Sequence, residues 1–310
     1  MNDKRKKLRL VVTAAALLAL VAVVALPILR TKPLKVETAR ATRGPLRVTV
    51  DAEGKTRVRD LYTVTAPVAG LLKRIELRRG DHVPAGATVA IIEPAPLSAM
   101  PQSYQGQAYM PQSAVVRAPV TGRVLRVLEE SERVVYAGTP LLELSNTSKV
   151  EVVADALSTD AVKIRPGTPV LVEDWGGDAP LQARVRLVEP SAFTKVSALG
   201  VEEQRVNVVA DFMDPVVPLG DGYRVEARFI IWDGEALKVP SGALFRRGEA
   251  WSVFRLEGGR AVCREVETGQ RNESEVEIKS GLGEGDRVVL HPPNDLEDGA
   301  RVARQEAGRE

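Results

Sequence analysis

The sequence predicts a mainly β chain of several small domains behind one membrane-spanning segment, and three observations predict it. Residues 65–94, TAPVAGLLKRIELRRGDHVPAGATVAIIEP, align without gaps on residues 117–146, RAPVTGRVLRVLEESERVVYAGTPLLELSN, at an offset of 52. Val and Gly recur at short intervals with turn residues between them, which favours many short strands over long helices. From Leu10 to Leu29 the chain carries no charge. A run of about 20 residues rising 1.5 Å each is long enough to cross a bilayer core of roughly 30 Å.

Residues 1–9 contain Lys4, Arg5, Lys6, Lys7 and Arg9, which reads as a cytoplasmic tail in front of a transmembrane anchor at 10–29. The apolar run exceeds the roughly 7–15 residues of a cleavable signal peptide. Its end, Ala25 to Arg30, offers no small-x-small cleavage site, so an uncleaved anchor is expected, with cleaved export as the alternative. The basic flank places the bulk of the chain outside the cytoplasm, although Arg30, Lys32 and Lys35 reduce the bias.

At 310 residues the chain can hold two or three small domains. Its 43 basic and 41 acidic residues give a net charge of +2, so there is no electrostatic case for a nucleic-acid partner. Cys263 is the only cysteine, which excludes an intrachain disulfide. Between Val262 and Val266 on an expected strand, it reads as a buried small hydrophobe.

Residues 30–64 read as a linker followed by first strands, with PLRVTVDAEGKTRVRD expected as two short strands around Ala52-Glu53-Gly54. Residues 65–146 hold the two half-motifs, 65–94 and 117–146, and the insert 95–116. In each copy an Ala-Pro-Val-x-Gly motif ends one strand and starts the next, and a Val-x-Ala-Gly turn precedes an apolar run. The turn positions are Pro67, Gly70 and Gly86 in the first copy and Pro119, Gly122 and Gly138 in the second. Proline suits a strand edge, and glycine permits a positive φ or a close approach. In residues 147–235, Val185 and Leu187 alternate with Arg184 and Arg186, and Val225, Ala227, Phe229 and Ile231 alternate with Arg224, Glu226 and Arg228. Period two argues for half-buried strands. DALSTDAVKIRPG is the best helix candidate beyond the anchor, with Ser158 or Thr159 as cap. Residues 236–303 are short strands broken by Gly-rich turns, and 304–310 a solvated tail.

These features together resemble the periplasmic adaptor, or membrane fusion protein, family. Paired half-motifs of this type resemble a lipoyl-like barrel-sandwich hybrid, each copy giving half the strands. ALKVPSGALFRRG and VEIKSGLGEGDRVVL resemble the family's membrane-proximal β domain, and FTKVSALGVEEQRVNV, residues 193–208, resembles the β-barrel domain of adaptors serving resistance-nodulation-division efflux pumps. The resemblance implies nested, discontinuous domains and a non-enzymatic role at the inner membrane. It further implies an inner-membrane efflux transporter and an outer-membrane channel as partners, in a homo-oligomeric ring. An adaptor of an ATP-driven exporter, or a regulatory module of an inner-membrane transporter, is the alternative. The family's long α-helical hairpin belongs between the half-motifs, where this chain has Met100-Pro-Gln-Ser103 repeated as Met110-Pro-Gln-Ser113 and no charged residue. Such a segment does not sustain a helical pair, so the hairpin and its channel contacts have no counterpart here.

Sharper chemistry finds little purchase. A swinging-arm carrier needs a lysine between the half-motifs, and residues 94–116 have none. Gly281-Leu-Gly283-Glu-Gly285 is better read as a turn than as a phosphate loop, since Asp286 opposes an anion. Met100, Met110 and His82 make a thin soft-metal set. With His82 and His291 the only histidines, no catalytic constellation stands out, and no cofactor is expected. Val201 to Arg205 suits a partner contact or a solvated hairpin edge equally.

Overall fold

The computed structural model describes residues 33–93, 113–146, 149–214 and 219–305. The expected anchor at 10–29 and nearly all of the insert lie outside the described residues. Among the described residues, no helix is long and apolar enough to cross a membrane, and the architecture is mainly β.

In chain order the strands are β1 (Leu34–Arg40), β2 (Thr42–Val58), β3 (Leu61–Thr65), β4 (Gly70–Leu72), β5 (His82–Val83), β6 (Thr88–Glu93), β7 (Ala114–Arg117), β8 (Gly122–Val127), β9 (Arg133–Val135) and β10 (Pro140–Ser145). There follow β11 (Val150–Leu157), the single turn α1 (Ser158–Ala161), β12 (Pro169–Glu173), β13 (Leu181–Val196), β14 (Glu202–Phe212) and β15 (Arg224–Pro240). The last are β16 (Phe245–Arg247), β17 (Ala250–Glu257), β18 (Arg260–Arg271), β19 (Glu275–Ser280), β20 (Arg287–Leu290) and β21 (Ala300–Arg304). The chain divides into two compact units, one from Thr49 to Ile231 and one made of the segments flanking it.

The inner-sequence unit contains a lipoyl-like hybrid and a barrel. The hybrid is two four-stranded sheets, β3-β10-β8-β5 and β7-β6-β4-β9. In the barrel, β12, β13, β14, β11, β2 and β15 follow one another and the sheet closes through a β12–β15 pairing. Its interior holds Val50, Val152, Val170, Val185, Val208, Ala227 and Phe229. The alternation of Val225, Ala227 and Phe229 is buried as period two requires.

Three local expectations are corrected. Residues around Gly54 do not turn; β2 runs through them as one strand, and a Cβ at Gly54 would lie 3.1 Å from Ala154 of the neighbouring β11. This glycine serves close strand packing. Leu187 is not buried beside Val185 but 41% exposed, because the β13–β14 register shifts between those residues. A bulge of this kind breaks the two-residue period and re-aims the side chains after it. The helix is a single turn whose N-cap is Leu157, with no side-chain cap bond. Ser158 is already helical there.

The flanking unit is a small closed arrangement in which β18, β21, β1, β20 and β17 are successive neighbours and β17 pairs back on β18. β1 runs parallel to β21 and antiparallel to β20. One core contains Val239, Val253, Val266, Ile278 and Val288, and a second Val36, Phe254, Val289, Leu296 and Val302. Cys263 packs against the second core but is only half-buried. The Gly281–Gly285 segment is the turn between β19 and β20, closed by Asp286 accepting from the Gly283 amide at 2.8 Å.

Candidate partner-binding surfaces

The repeat in sequence is a repeat in space. Shifting numbers by 52 converts the order β3-β10-β8-β5 into β7-β6-β4-β9, so each sheet takes two strands from each copy. The registers match as well: Pro140↔Thr65 and Leu142↔Val64 correspond to Thr88↔Arg117 and Ala90↔Val116, with an irregularity at the same place in both. The core is paired likewise, Val64 with Val116, Leu72 with Val124, Val83 with Val135, and Ile92 with Leu144.

The six turn positions sit at equivalent points. Pro67 and Pro119 lie in exposed bends after β3 and β7. Gly70 and Gly122 open β4 and β8 against a neighbouring backbone. A Cβ would stand 2.3 Å from the Glu93 carbonyl oxygen at Gly70 and 2.5 Å from that of Ser145 at Gly122. Gly86 and Gly138 adopt φ of 82° and 87°, where a side chain is strained. Their amides donate to Ala118 O and Ala66 O, both at 2.8 Å. The insert joins two adjacent strand ends, since Ile92 at the end of β6 pairs with Ala114 at the start of β7. Whatever occupies residues 94–113 therefore leaves and returns about one strand spacing apart, roughly 5 Å.

The outer faces break the symmetry. Cross-strand pairs place Val115, Ile91, Leu71 and Val134 on the outside of the β7-β6-β4-β9 sheet, together with Glu93, which lies opposite Leu71 and is ion-paired with Lys73 at 3.1 Å. The positions equivalent to them on the other sheet are Thr63, Glu143, Arg123 and His82. Ile91 is 42% and Val115 47% exposed, whereas Glu143 is ion-paired with Arg126 at 2.9 Å. The fold does not demand apolar residues there, because it accepts polar ones at every equivalent position.

The barrel carries a charged hub that sequence reasoning missed. Glu151 on β11 is 2% exposed. Arg57 donates to its Oε1 through Nε at 2.9 Å and Nη2 at 2.6 Å, and Arg186 to its Oε2 at 2.5 Å. Arg59 reaches both Glu151 and Asp211, and Arg186 also bonds Asp211 at 3.2 Å. Burial pushes the Glu151 carboxyl up, but the hydrogen bonds and charges of Arg57 and Arg186 more than offset it, leaving it below the usual carboxylate range. Asp211 is lowered in the same way, burial being opposed by Arg59 and Arg186. A Val-Glu-Val-Val-Ala strand gives no sign that its glutamate points into such a site. The bulge at Arg186 is what brings that arginine to it.

At the far end of β13–β14, Leu199 is 91%, Val196 61% and Val201 57% exposed. Of the charges flagged at this hairpin, Arg205 and Glu203 are committed within the chain: Arg205 bonds Glu203 at 2.6 Å and Asp155 at 2.5 Å, and Lys195 bonds Asp155 at 2.8 Å, while Glu202 is exposed. What the turn presents is apolar. Among the described residues no group of three His, Cys, Asp or Glu is placed to hold a metal ion. His82 stands on an outer face, and Met100 and Met110 lie outside the described residues.

Residues 236–304 match the family described as YknX, C-terminal permuted SH3-like domain. YknX of Bacillus subtilis (strain 168), named as an efflux system component, is 23% identical over 196 residues, covering 60% of this chain and 51% of that protein. The Multidrug resistance protein MdtA of Escherichia coli O139:H28 is 24% identical over 200 residues, covering 62% of this chain and 47% of that protein. The chain thus spans about half the length of the curated relatives it matches. Among solved structures, MacA from Actinobacillus actinomycetemcomitans superposes with a TM-score of 0.63 at 17% identity, covering 84% of this chain and 100% of that one. A MacA-MexA chimeric protein containing the Pseudomonas aeruginosa MexA alpha-hairpin domain superposes with a TM-score of 0.56, also at 17% identity, covering 82% and 99%. These two share the fold.

Proposed function

We propose that this chain, one of the membrane fusion or periplasmic adaptor proteins of efflux pumps, is held at the inner membrane by residues 10–29 and couples an inner-membrane transporter to an outer-membrane channel. The carrying observation is the hybrid of two matched half-motifs whose insert departs and returns at adjacent strand ends, β6 and β7. That is the mount on which an adaptor holds an element reaching away from its body. The barrel's apolar hairpin turn, Val196 to Val201, is the proposed transporter contact. The apolar outer face of the β7-β6-β4-β9 sheet is the proposed contact with the next copy in a homo-oligomeric ring. It has no match on the opposite sheet, so the contact joins unlike faces, the kind that closes rings.

A second reading has a specific observation in its favour. The insert is short, uncharged and proline-containing, which suits a module of an inner-membrane transporter that docks no channel. Photo-crosslinking in cells separates the two, with the crosslinking residue at Leu199 or at Tyr104. The adaptor reading expects a transporter adduct from Leu199 and a channel adduct from Tyr104. Transporter adducts alone select the second reading. No adduct from either position overturns both, and the nature of the transporter captured distinguishes a proton-driven partner from an ATP-driven one.

A further inference from the structure

The flanking unit has a cavity of about 610 Å³ that the adaptor role does not use, within the range of about 300–1,000 Å³ typical of ligand sites. Its apolar lining includes Leu296 and the rings of Phe245 and Phe254, stacked with centroids 4.8 Å apart. Its lining carries both signs of charge, Arg246 and Arg247 from β16 and Glu297 and Asp298 from the segment before β21. Arg247 and Glu297 have no ion-pair partner among the described residues, and Arg246 lies over the Trp251 ring at 5.0 Å. Asp298 has one oxygen on the Cys263 amide at 2.8 Å.

The topology says which way the cavity faces. β1 and β20 are antiparallel with Glu37 opposite Leu290, so residues after Leu290 run alongside the start of β1. β21 is parallel to β1 with Leu34 opposite Val302, so residues before Ala300 lie at that same end. The segment 291–299, which forms part of the lining, is therefore at the end of the unit where the chain enters. Only Arg30 to Pro33 separate that entry from Leu29, the last residue of the apolar run. Five residue steps span at most about 18 Å.

We infer that this cavity takes the headgroup of a phospholipid bearing a phosphate and a primary ammonium, drawn from the bilayer that residues 10–29 cross. The inference rests on the anchor proposed above. Arg246 and Arg247 meet the phosphate, Glu297 and Asp298 the ammonium, and the phenylalanines and Leu296 the glycerol and first acyl carbons. The paired acids disfavour a headgroup with net negative charge, and a quaternary ammonium has no N–H to donate to them.

The test uses the full chain reconstituted into vesicles of phosphatidylethanolamine with phosphatidylglycerol, carrying a photo-crosslinking residue at Asn294. The control site is Glu284, in the turn after β19 at the opposite end of β20. Lipid adducts are read by mass spectrometry, and alkaline extraction reports the anchor separately. The expected result is an Asn294 adduct, chiefly with phosphatidylethanolamine, about tenfold above Glu284, falling about tenfold in Arg246→Ala/Arg247→Ala and in Glu297→Gln/Asp298→Asn. All variants are expected to stay in the membrane. Adducts equal at the two sites, unchanged by the substitutions, or equal for both lipids in a chain that resists extraction overturn the headgroup site and leave the anchor standing. Release of the wild-type chain at alkaline pH overturns the anchor and the site with it.

Discussion

The hybrid and the barrel lie in the same unit and are stabilised by opposite chemistry. The hybrid is held by apolar pairs repeated at an offset of 52 and by two glycines whose strands touch a neighbouring backbone. The barrel adds to its apolar interior a buried carboxylate gripped by three arginines. The first arrangement is distributed, and its core is built of uncharged side chains. The second is concentrated at Glu151 and depends on its charge. Concentration makes the barrel the place where one substitution does most harm.

The largest expected effect is therefore at the hub. Glu151→Ala removes the buried carboxylate that accepts from Arg57, Arg59 and Arg186, and because those arginines stay partly exposed the expected cost is about 1.5–3 kcal/mol, read by denaturant unfolding. A loss below 1 kcal/mol would dissolve the contrast between the two regions. Next come the paired glycines. Gly70→Ala and Gly122→Ala each force a Cβ against a carbonyl oxygen, with an expected cost of about 1–3 kcal/mol apiece. The two costs should agree within about 0.5 kcal/mol if the copies are energetically equivalent.

The pH dependence sharpens the same comparison. Glu151 and Asp211 have folded values lowered from 4.5 and 3.8. Their contribution is present above those unfolded values and is lost as pH falls through the lower folded ones. Unfolding followed by circular dichroism should show stability falling as pH drops below about 4.5, and Glu151→Gln should flatten that fall. The smallest effect on folding is expected on the outer faces. Ile91→Thr and Val115→Thr supply polar residues such as the equivalent sheet already carries, and should change stability by no more than about 0.5 kcal/mol.

The same contrast explains what was legible in the sequence. The half-motifs were visible because each fold-critical position occurs twice: Gly70 with Gly122, Gly86 with Gly138, Val83 with Val135. Repetition exposes constraint. The hub was invisible because its members come from four separate strands, β2, β11, β13 and β14, and because a register shift before Leu187 decides where Arg186 points. Strand β2 was read as two strands because Gly54 looks like a turn when its neighbour Ala154 is unknown. The apolar outer face was readable only after the fold showed which positions are equivalent, since Ile91 and Val115 otherwise look like core.

The central claim is that the two sheets of the hybrid share a fold and differ in role, the outer face of β7-β6-β4-β9 being the one proposed to join neighbouring subunits. Mass photometry of the solubilised full chain tests it most directly. Ile91→Glu/Val115→Glu should reduce ring-sized assemblies about tenfold relative to the parent chain, while Thr63→Val/Glu143→Gln on the equivalent positions should leave them unchanged. Identical size distributions for the two double variants would contradict the account.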